Sequence, residues 1–434
     1  MRGQSTFASI AGLLFGAVLA GGDLPRQPIV AKRGAIPIVP SGVRPRLESI
    51  DVVRGVIMVL MTLDHVRDFF HHDALLFAPN DLAQTNALLF LTRWITHFCA
   101  PGFFFLAGTG AFLSFGRGKS KSDLARFLVS RGLWLIFLEL TVVRCLGWQF
   151  NFNYQVTGLL VIWGLGCSMI VLAALIYLPQ GAIALFALLM IAGHNLLDPI
   201  DPQSFGAFAW LWNILHAPGA FDPFPGVTIT TPYTLIPWAG VMAAGYVFGG
   251  FYKLEPAERR RRLLSLGIAL TGVFIIIRGL NLYGDPTPWT AQRNGLFTVL
   301  SFLNCEKYPP SLLFLLMTLG PVIVLLAVLE NHVPAILRPF TVFGRVPLFF
   351  YLLHLPLMHG VAIVLSYLKY GRADWLFHGP AGIPLFANVY PSDYGYGLAT
   401  VYLIWIAVTI ALYPLCVWFA RLKQQRRDVW LSYL

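Results

Sequence analysis

One face of a predicted helix in residues 46–73 carries a stripe of ionisable side chains. Steps of three and four residues return to the same side of an α-helix, and the remaining positions are mostly Val, Ile, Leu and Phe. Ionisable groups inside a bilayer are costly and usually face a bundle interior or a wet cavity, where they serve function. We therefore favour a functional role for these side chains over the alternative, a buried hydrogen-bonded network that only stabilises the packing of the helices. The stripe consists of Asp51, Arg54, Met58, Met61, His65, Asp68 and His72.

His65 is the candidate reactive group of this stripe. Arg54 precedes it by three helical turns, so the two side chains share a face and stand about 16 Å apart along the helix axis. A general base needs a neutral imidazole and a partner that orients it. Asp64 is adjacent in sequence and Asp68 follows one turn later. The spacing predicts His65 as a general base with Asp64 and Asp68 as its carboxylate partners.

The composition indicates a polytopic membrane protein. Of 434 residues, 57% are hydrophobic and 12% are charged, whereas soluble proteins carry about 25% charged residues. The net charge of +11 comes from Lys and Arg in short gaps between apolar runs. This pattern fits positive-inside topology and excludes a nucleic-acid interface, where basic residues line one solvated face. The sequence has no HExxH motif and no paired cysteine spacing, so we expect no metal.

Ten apolar runs are long enough to span a bilayer, which requires about 20 residues per helix. We predict an all-α polytopic membrane protein with about ten transmembrane helices in a single bundle, surrounded by the lipid bilayer. An even number of spans places both ends of this core on one side. The predicted helices lie near 50–71, 90–115, 127–147, 157–178, 182–197, 233–252, 263–283, 310–330, 343–367 and 397–420.

The basic residues alternate between the loops of this ten-helix arrangement. The predicted inner loops carry clusters of Lys and Arg, whereas the outer loops 148–156 and 198–232 contain none. Short cytoplasmic loops hold the positive charge, so we predict a bacterial inner-membrane protein with both termini of the core in the cytoplasm. We divide the chain into a signal-like or cytoplasmic basic segment at 1–45, a transmembrane domain at 46–420 and a basic cytoplasmic tail at 421–434.

Other polar groups at membrane depth are candidates for contact with a substrate. Each also has a structural alternative. An arginine near a predicted outer end can reach the water interface, and Glu139 can pair with Arg144 or Arg131 to hold helices together. The substrate candidates are Arg93, His97, Glu139 and His354.

Several segments carry a resemblance to a known family. The segments are SIDVVRGVIMVLMTLDHVRDFF, FLTRWITHFCAPGFFFLAGTGAFLS, SRGLWLIFLELTVVR, CEKYPPSLLFLLMTLGP and FGRVPLFFYLLHLPLMH. Together they resemble the bacterial membrane proteins similar to the catalytic domain of heparan-α-glucosaminide N-acetyltransferase, from about Arg46 to Tyr413. The arrangement of Arg54, ten further residues and His65 is similar to the first-helix motif of the wider transmembrane acyltransferase superfamily.

This resemblance implies an acyltransferase that takes its acyl group, expected to be acetyl, from cytoplasmic acyl-CoA. The acceptor would be a carbohydrate or glycolipid beyond the membrane. The resemblance also implies that Arg54 helps to hold acyl-CoA. Arg126 and Arg131 would meet its phosphates, because guanidinium forks bind phosphate through paired hydrogen bonds.

Two questions stay open at the level of sequence. The resemblance implies that His65 acts in acyl transfer, but the lysosomal enzyme looks to place its catalytic histidine after this helix, where the chain has His71 and His72. A transporter or exporter could also use the intramembrane Arg, Asp and His groups to bind a small solute or relay protons. Such proteins often contain inverted repeats, and no repeat is visible here, which favours the acyltransferase. A homo-oligomer is compatible with either function.

Overall fold

Each of the ten apolar segments predicted to span the membrane contains a helix in the computed structural model of the chain. The structure describes residues 47–116, 118, 120–377, 390–426 and 428–434. The predicted segment 1–45 lies outside the described residues, as do Arg117, Lys119 and Arg427 of the predicted cytoplasmic loops and tail.

The helices are labelled here in chain order. They are α1 (Glu48–Phe70), α2 (His72–Leu76), α3 (Ala87–Thr96), α4 (Cys99–Phe115), α5 (Lys121–Leu138), α6 (Val161–Leu175), α7 (Gln180–Ala192), α8 (Ala209–Leu215), α9 (Leu235–Phe248), α10 (Pro256–Leu280), α11 (Gly295–Leu303), α12 (Leu312–Val328), α13 (Phe340–Arg345), α14 (Pro347–Tyr370) and α15 (Leu398–Gln425). Short 3-10 helices occur at His194–Leu197, Pro202–Phe208, Gly249–Lys253, Ala335–Leu337, Asp374–Phe377 and Val429–Ser432.

Five helical stretches among the described residues are long and apolar enough to cross a membrane, and three shorter helices are also apolar. α1 and α5 instead carry several ionisable residues. A helix satisfies its backbone hydrogen bonds internally, which is the condition for crossing lipid. These features confirm the prediction of an all-α polytopic membrane protein. The five stretches are α3 with α4, α9 with its extension to Lys253, α10, α14 and α15, and the three shorter helices are α6, α7 and α12.

α1 is buried on nearly every side. Its buried residues include the charged Asp51, Asp64 and Arg67 as well as aliphatic positions. The helices that pack against it include α3, α4, α12, α13, α14 and α15. Burying a polar or charged group costs free energy unless the protein supplies a hydrogen-bond or ion-pair partner. The position of α1 therefore requires its ionisable residues to find partners on the surrounding chain.

α1 and α13 cross with their backbones in contact at two glycines. A Cβ atom on Gly55 would overlap the carbonyl oxygen of Phe340, and a Cβ atom on Gly344 would overlap that of Asp51. Small residues allow such close approach, which lets helices gain van der Waals contact where lipid removes the hydrophobic driving force between them. The crossing fixes the start of α1 against α13 and brings Arg345 close to Asp51.

α5 does not end at Leu138 but continues as a π-helix over Glu139–Trp148. A π-helix is rare and is found frequently at functional sites, because its wider turn displaces side chains from the positions that an α-helix would give them. This segment carries Glu139 at its start and Trp148 at its end.

A small three-stranded sheet joins two loops that contain no basic residue. β1 (Val156–Gly158) pairs in parallel with β3 (Val227–Thr230), with Val156 opposite Thr228. β3 also pairs antiparallel with β2 (Ala220–Phe224). The sheet ties the chain before α6 to the long connection between α7 and α9.

Candidate active site

His65 on α1 and His354 on α14 are hydrogen-bonded to each other. Nδ1 of His65 lies 2.8 Å from Nε2 of His354, and both rings are buried. α14 continues through Pro356 as one helix, which places His354 opposite α1. The structure therefore brings together two histidines that the sequence analysis assigned to different roles.

The backbone of α14 determines which nitrogen of each ring carries a proton. Nδ1 of His354 lies 2.6 Å from the carbonyl oxygen of Tyr351 and 3.3 Å from that of Phe350. Carbonyl oxygens only accept, so a neutral His354 carries its proton on Nδ1 and accepts at Nε2. Nδ1 of His65 must then be the donor of the pair. The lone pair of His65 is left on Nε2, which makes no hydrogen bond to any of the residues that the structure describes.

Aromatic rings enclose the His65 side chain. The ring of Trp148 meets it edge to face, with centroids 5.0 Å apart. Phe69, one turn further along α1, stacks on the same Trp148 at 5.6 Å. The π-helix that ends at Trp148 thus supplies one wall of the site. Hydrogen bonds and charges act more strongly in such surroundings than in water.

Asp64 is held by cationic side chains from three parts of the chain. Nη1 of Arg93 lies 2.8 and 2.9 Å from its two oxygens, and Nη1 of Arg67 lies 2.7 Å away. Nζ of Lys307 lies 3.9 Å away, and the hydroxyl of Thr96 donates at 2.7 Å. Burying ions costs several kcal/mol each unless they are paired. The negative charge of Asp64 therefore partly neutralises the positive charges of Arg67, Arg93 and Lys307.

In the structure the hydrogen bonds of Asp64 and Asp68 go to cations and a hydroxyl and not to His65, and the predicted role of both carboxylates as catalytic partners of His65 stays a prediction. Asp68 accepts from Nη2 of Arg67 at 2.6 Å, and Asp64 is engaged as described above. Neighbouring helix residues point about 100° apart, so a carboxylate at the adjacent position faces away from the imidazole. His354, and not either carboxylate, makes the hydrogen bond that orients His65.

Arg93 and His97 both lie inside the protein. Arg93 forms an ion pair with Asp64, and only 14% of its side chain is exposed. Its guanidinium therefore does not extend to the membrane–water interface. His97 follows α3, is buried, and packs against the ring of Phe314 with centroids 5.2 Å apart. Their role as contacts to a substrate stays a prediction.

Glu139 caps the start of α6. Its Oε2 accepts the backbone N–H groups of Ile162 at 3.0 Å and Trp163 at 3.2 Å. A carboxylate is favoured at a helix N-terminus, where N–H groups lack partners within the helix. Arg144, one of its predicted partners, donates to Asn151 at 2.9 Å instead. The structure thus gives Glu139 a helix-positioning role, while its contact with a substrate stays a prediction.

Arg54 lies at the other end of α1, in a group of charged residues. Its Nη1 donates to the carbonyl oxygen of Gly344 at 3.0 Å and lies 3.6 Å from Asp51. Nε of Arg345 lies 3.9 Å from the same Asp51. The Arg54 and Arg345 side chains remain 22% and 35% exposed. Part of each of these two side chains is therefore exposed.

Arg126 and Arg131, the other predicted phosphate contacts, both lie on α5. Arg126 is exposed, and Arg131 is half-buried. The guanidinium of Arg131 lies 6.0 Å from the centre of the Phe127 ring, and it is near enough to Arg54 for the two charges to interact. Arg54, Arg131 and Arg345 thus form one basic group, whereas Arg126 lies on the surface.

His71 and His72 stand where α1 ends. Nδ1 of His71 accepts the N–H of Ala74 at 3.1 Å and caps α2, which occupies its lone pair. His72 is exposed in part and contacts Asp73 at 3.1 Å. Both histidines face an open cavity of about 460 Å³. The cavity is lined by His71, His72, Asp73, Asn86, Ala87, Leu88, Tyr396, Gly397 and Leu398.

Three residues of these clusters were not found by sequence reasoning. Arg67 lies off the predicted stripe, and Lys307 and Arg345 lie in a loop and at the end of a short helix, where no periodicity marks them. The one available signal is that Arg67 follows Asp64 by three residues, a spacing at which helical side chains pair.

A known protein family matches the part of the chain that contains α1. The family model described as heparan-alpha-glucosaminide N-acetyltransferase, catalytic, matches residues 46–283, which include all of α1 and the segment ending at Trp148. The segments that hold Lys307, Arg345 and His354 follow the matched residues. No curated protein matches the chain. Because the match covers more than half of the chain, the protein belongs to the family of heparan-alpha-glucosaminide N-acetyltransferase catalytic domains.

Proposed function

We propose that the protein transfers an acetyl group from acetyl-CoA on the cytoplasmic side to a hydroxyl or amine acceptor on the other side, with His65 as the general base. The observation that carries this proposal is the His65–His354 pair, whose hydrogen bonds leave an open lone pair on Nε2 of His65. Family membership supports acetyl transfer by a membrane protein. The name of the family points to an amino sugar as the acceptor class.

In the proposed reaction, Nε2 of His65 removes a proton from the acceptor as the acceptor attacks the thioester carbonyl. The new C–N or C–O bond forms, the C–S bond breaks, and the departing CoA thiolate takes the proton from His65. His354 accepts the Nδ1–H of His65 throughout, so it fixes the ring and stabilises the imidazolium that forms. It does for His65 what the third member of a catalytic triad does for its histidine.

The CoA phosphates would bind at the group formed by Arg54, Arg131 and Arg345. Guanidinium groups suit this role because each presents two parallel N–H donors to phosphate. Arg126, exposed on α5, would extend the basic surface. We place this end of α1 in the cytoplasm of a bacterial cell, with both ends of the core on that side, since the loops 148–156 and 198–232 lack basic residues.

The acceptor would enter through the cavity lined by His71 and His72. Six residues separate His65 from His71, which corresponds to about 9 Å along α1. The capping bond of His71 leaves it without the free lone pair that a base needs. This difference supports His65 over His71 as the catalytic residue.

A vesicle assay tests both the activity and its direction. Inverted vesicles expose the cytoplasmic face, and acetyl-CoA is too polar to cross the bilayer. We expect inverted vesicles loaded with glucosamine, as the acceptor probe, to release CoA thiol when acetyl-CoA is added outside. Right-side-out vesicles with the same load should release thiol only after permeabilisation. Vesicles that hold the His65→Ala protein provide the control.

Two results of this assay would count against the proposal. Thiol release from intact right-side-out vesicles alone would reverse the proposed direction. Uptake or loss of glucosamine without any thiol release would identify a transporter, the other function class that intramembrane charges support.

Arg54→Ala should raise the KM for acetyl-CoA while much of the kcat returns at saturation. A charge-assisted hydrogen bond contributes about 1.5–3 kcal/mol, and losing it weakens binding of ground state and transition state alike. Steady-state kinetics on purified protein measure both constants. Arg421→Ala, which removes an exposed arginine from the end of α15, is the matched control. An unchanged KM together with a lower unfolding temperature would instead make Arg54 a structural partner of Asp51 and Gly344.

A further inference from the structure

A second cluster of titratable side chains lies beyond the ends of α7 and α8, since α7 ends at Ala192 and not near residue 197 as predicted. His194 begins the 3-10 helix that follows α7, Asp198 follows that helix, and His216 ends α8. The two histidines are 22 residues apart in sequence and both are buried. The proposed acetyl transfer uses none of these residues.

The distances between the three side chains match the edges of a metal coordination tetrahedron. Nδ1 of His194 lies 3.4 Å from Nε2 of His216, which lies 3.5 Å from Oδ1 of Asp198. One donor atom from each residue lies within 4.8 Å of the other two. A tetrahedral zinc ion with bonds of about 2.1 Å holds its ligand atoms roughly 3.4 Å apart. The three donors could therefore bind one ion after small adjustments.

The surroundings hold these donors in the orientation that a metal needs. Nε2 of His194 is buried and has no hydrogen-bond partner among the residues that the structure describes, whereas Nδ1 faces Nε2 of His216. Nδ2 of Asn195 donates to Oδ2 of Asp198 at 2.8 Å, so Oδ1 stays available. The N–H of Leu312 donates to Oδ1 of Asn195 at 3.0 Å and thereby fixes that amide. Metal ligands are commonly oriented by such outer hydrogen bonds.

The cluster contains more hydrogen-bond acceptors than N–H groups that could donate to them. Nε2 of His216 also lies 2.9 Å from the carbonyl oxygen of His194. A single N–H group on this nitrogen would therefore face three atoms, namely that oxygen, Nδ1 of His194 and Oδ1 of Asp198. A neutral imidazole is the form that binds metal.

We propose that His194, Asp198 and His216 bind a divalent transition-metal ion, and that the ion is zinc. Two imidazoles and one carboxylate are borderline ligands that suit zinc, and three protein ligands leave the fourth position to water or another group. The ion would clamp the end of α7 to the end of α8 and so anchor the long connection that carries β2 and β3. Sequence reasoning expected no metal because these ligands follow none of the short zinc spacings.

Zinc titration of the purified, chelator-treated full chain tests this site directly. A competing chromophoric chelator should report one tight Zn²⁺ site per chain. His194→Gln and His216→Gln should weaken that site by at least about 100-fold, since even outer-shell changes cost about 10–100-fold. His332→Gln removes an exposed histidine elsewhere and should bind zinc as the wild type does. Cobalt in place of zinc should give the intense visible absorption of a tetrahedral site in the wild type and not in His216→Gln.

A second measurement keeps the test decisive if a histidine variant folds poorly. Asp198→Asn keeps the shape of the side chain and removes its charge, and it should weaken zinc binding about tenfold or more. Excess Zn²⁺ should raise the unfolding temperature of the wild type and of His332→Gln, because a ligand of the folded state stabilises it. Equal zinc affinity in the wild type, His216→Gln and Asp198→Asn would overturn the proposal. The cluster would then be a metal-free hydrogen-bonded joint.

Discussion

His65→Ala should lower kcat for acetyl transfer by about 10²–10⁴ without recovery at any acetyl-CoA concentration, because a general base acts in the transition state. The protein should still fold and insert, since a neutral side chain is removed from a helix held by many other contacts. Steady-state kinetics and size-exclusion chromatography of the purified variant measure the two effects. His354→Ala should lower kcat by less, because the base remains but loses the partner that fixes its ring.

The matched control is His332→Gln, whose side chain is exposed and belongs to none of the clusters described above. The double replacement of His71 and His72 by alanine should retain most activity. If that double variant is inactive while His65→Ala is active, the catalytic histidine follows α1, as it looks to do in the lysosomal enzyme.

Asp64→Asn should lower the stability of the protein strongly. The change leaves Arg67, Arg93 and Lys307 buried around a neutral amide, and breaking a buried ion pair costs about 3–5 kcal/mol. Thermal unfolding of the purified protein measures the effect. Asp393→Asn is the matched control, because Asp393 is a carboxylate paired with one lysine at the surface. Its unfolding temperature should stay close to that of the wild type.

This second experiment also separates two interpretations of Asp64. If Asp64→Asn unfolds at the wild-type temperature but loses kcat, then the carboxylate acts on His65 as the sequence spacing suggested. A lower unfolding temperature with residual activity would support the role that its contacts indicate, the compensation of buried cations.

The residues of α1 show what the sequence could predict and what it could not. A helical stripe depends only on local geometry, so the placement of Asp51, Arg54 and His65 on one buried helix followed from residue spacing. The partner of His65 could not be found in this way, because His354 lies 289 residues away and meets it only through the packing of α14 on α1.

The partners of the carboxylates Asp64 and Glu139 could not be predicted from sequence spacing either. Asp64 is the nearest acid in sequence to His65, but a step of one residue turns the side chain away by about 100°. Pairing with an arginine was one of two interpretations of Glu139, yet the N-terminus of α6 offers it two N–H groups that lack partners within the helix. Both acids were recognised as buried and functional groups, whereas their partners depended on contacts between helices that no local pattern encodes.

The π-helix between Glu139 and Trp148 has a consequence for how this protein can vary. A wide turn accommodates one more residue than an α-helical turn, so the number of residues in the segment determines the direction in which its last side chain points. Deleting one residue while the wide winding persists would turn Trp148 by one residue step relative to Glu139. One of these two residues would then lose its contact, either with the ring of His65 or with the start of α6. Homologous proteins should therefore accept substitutions along this segment more readily than insertions or deletions.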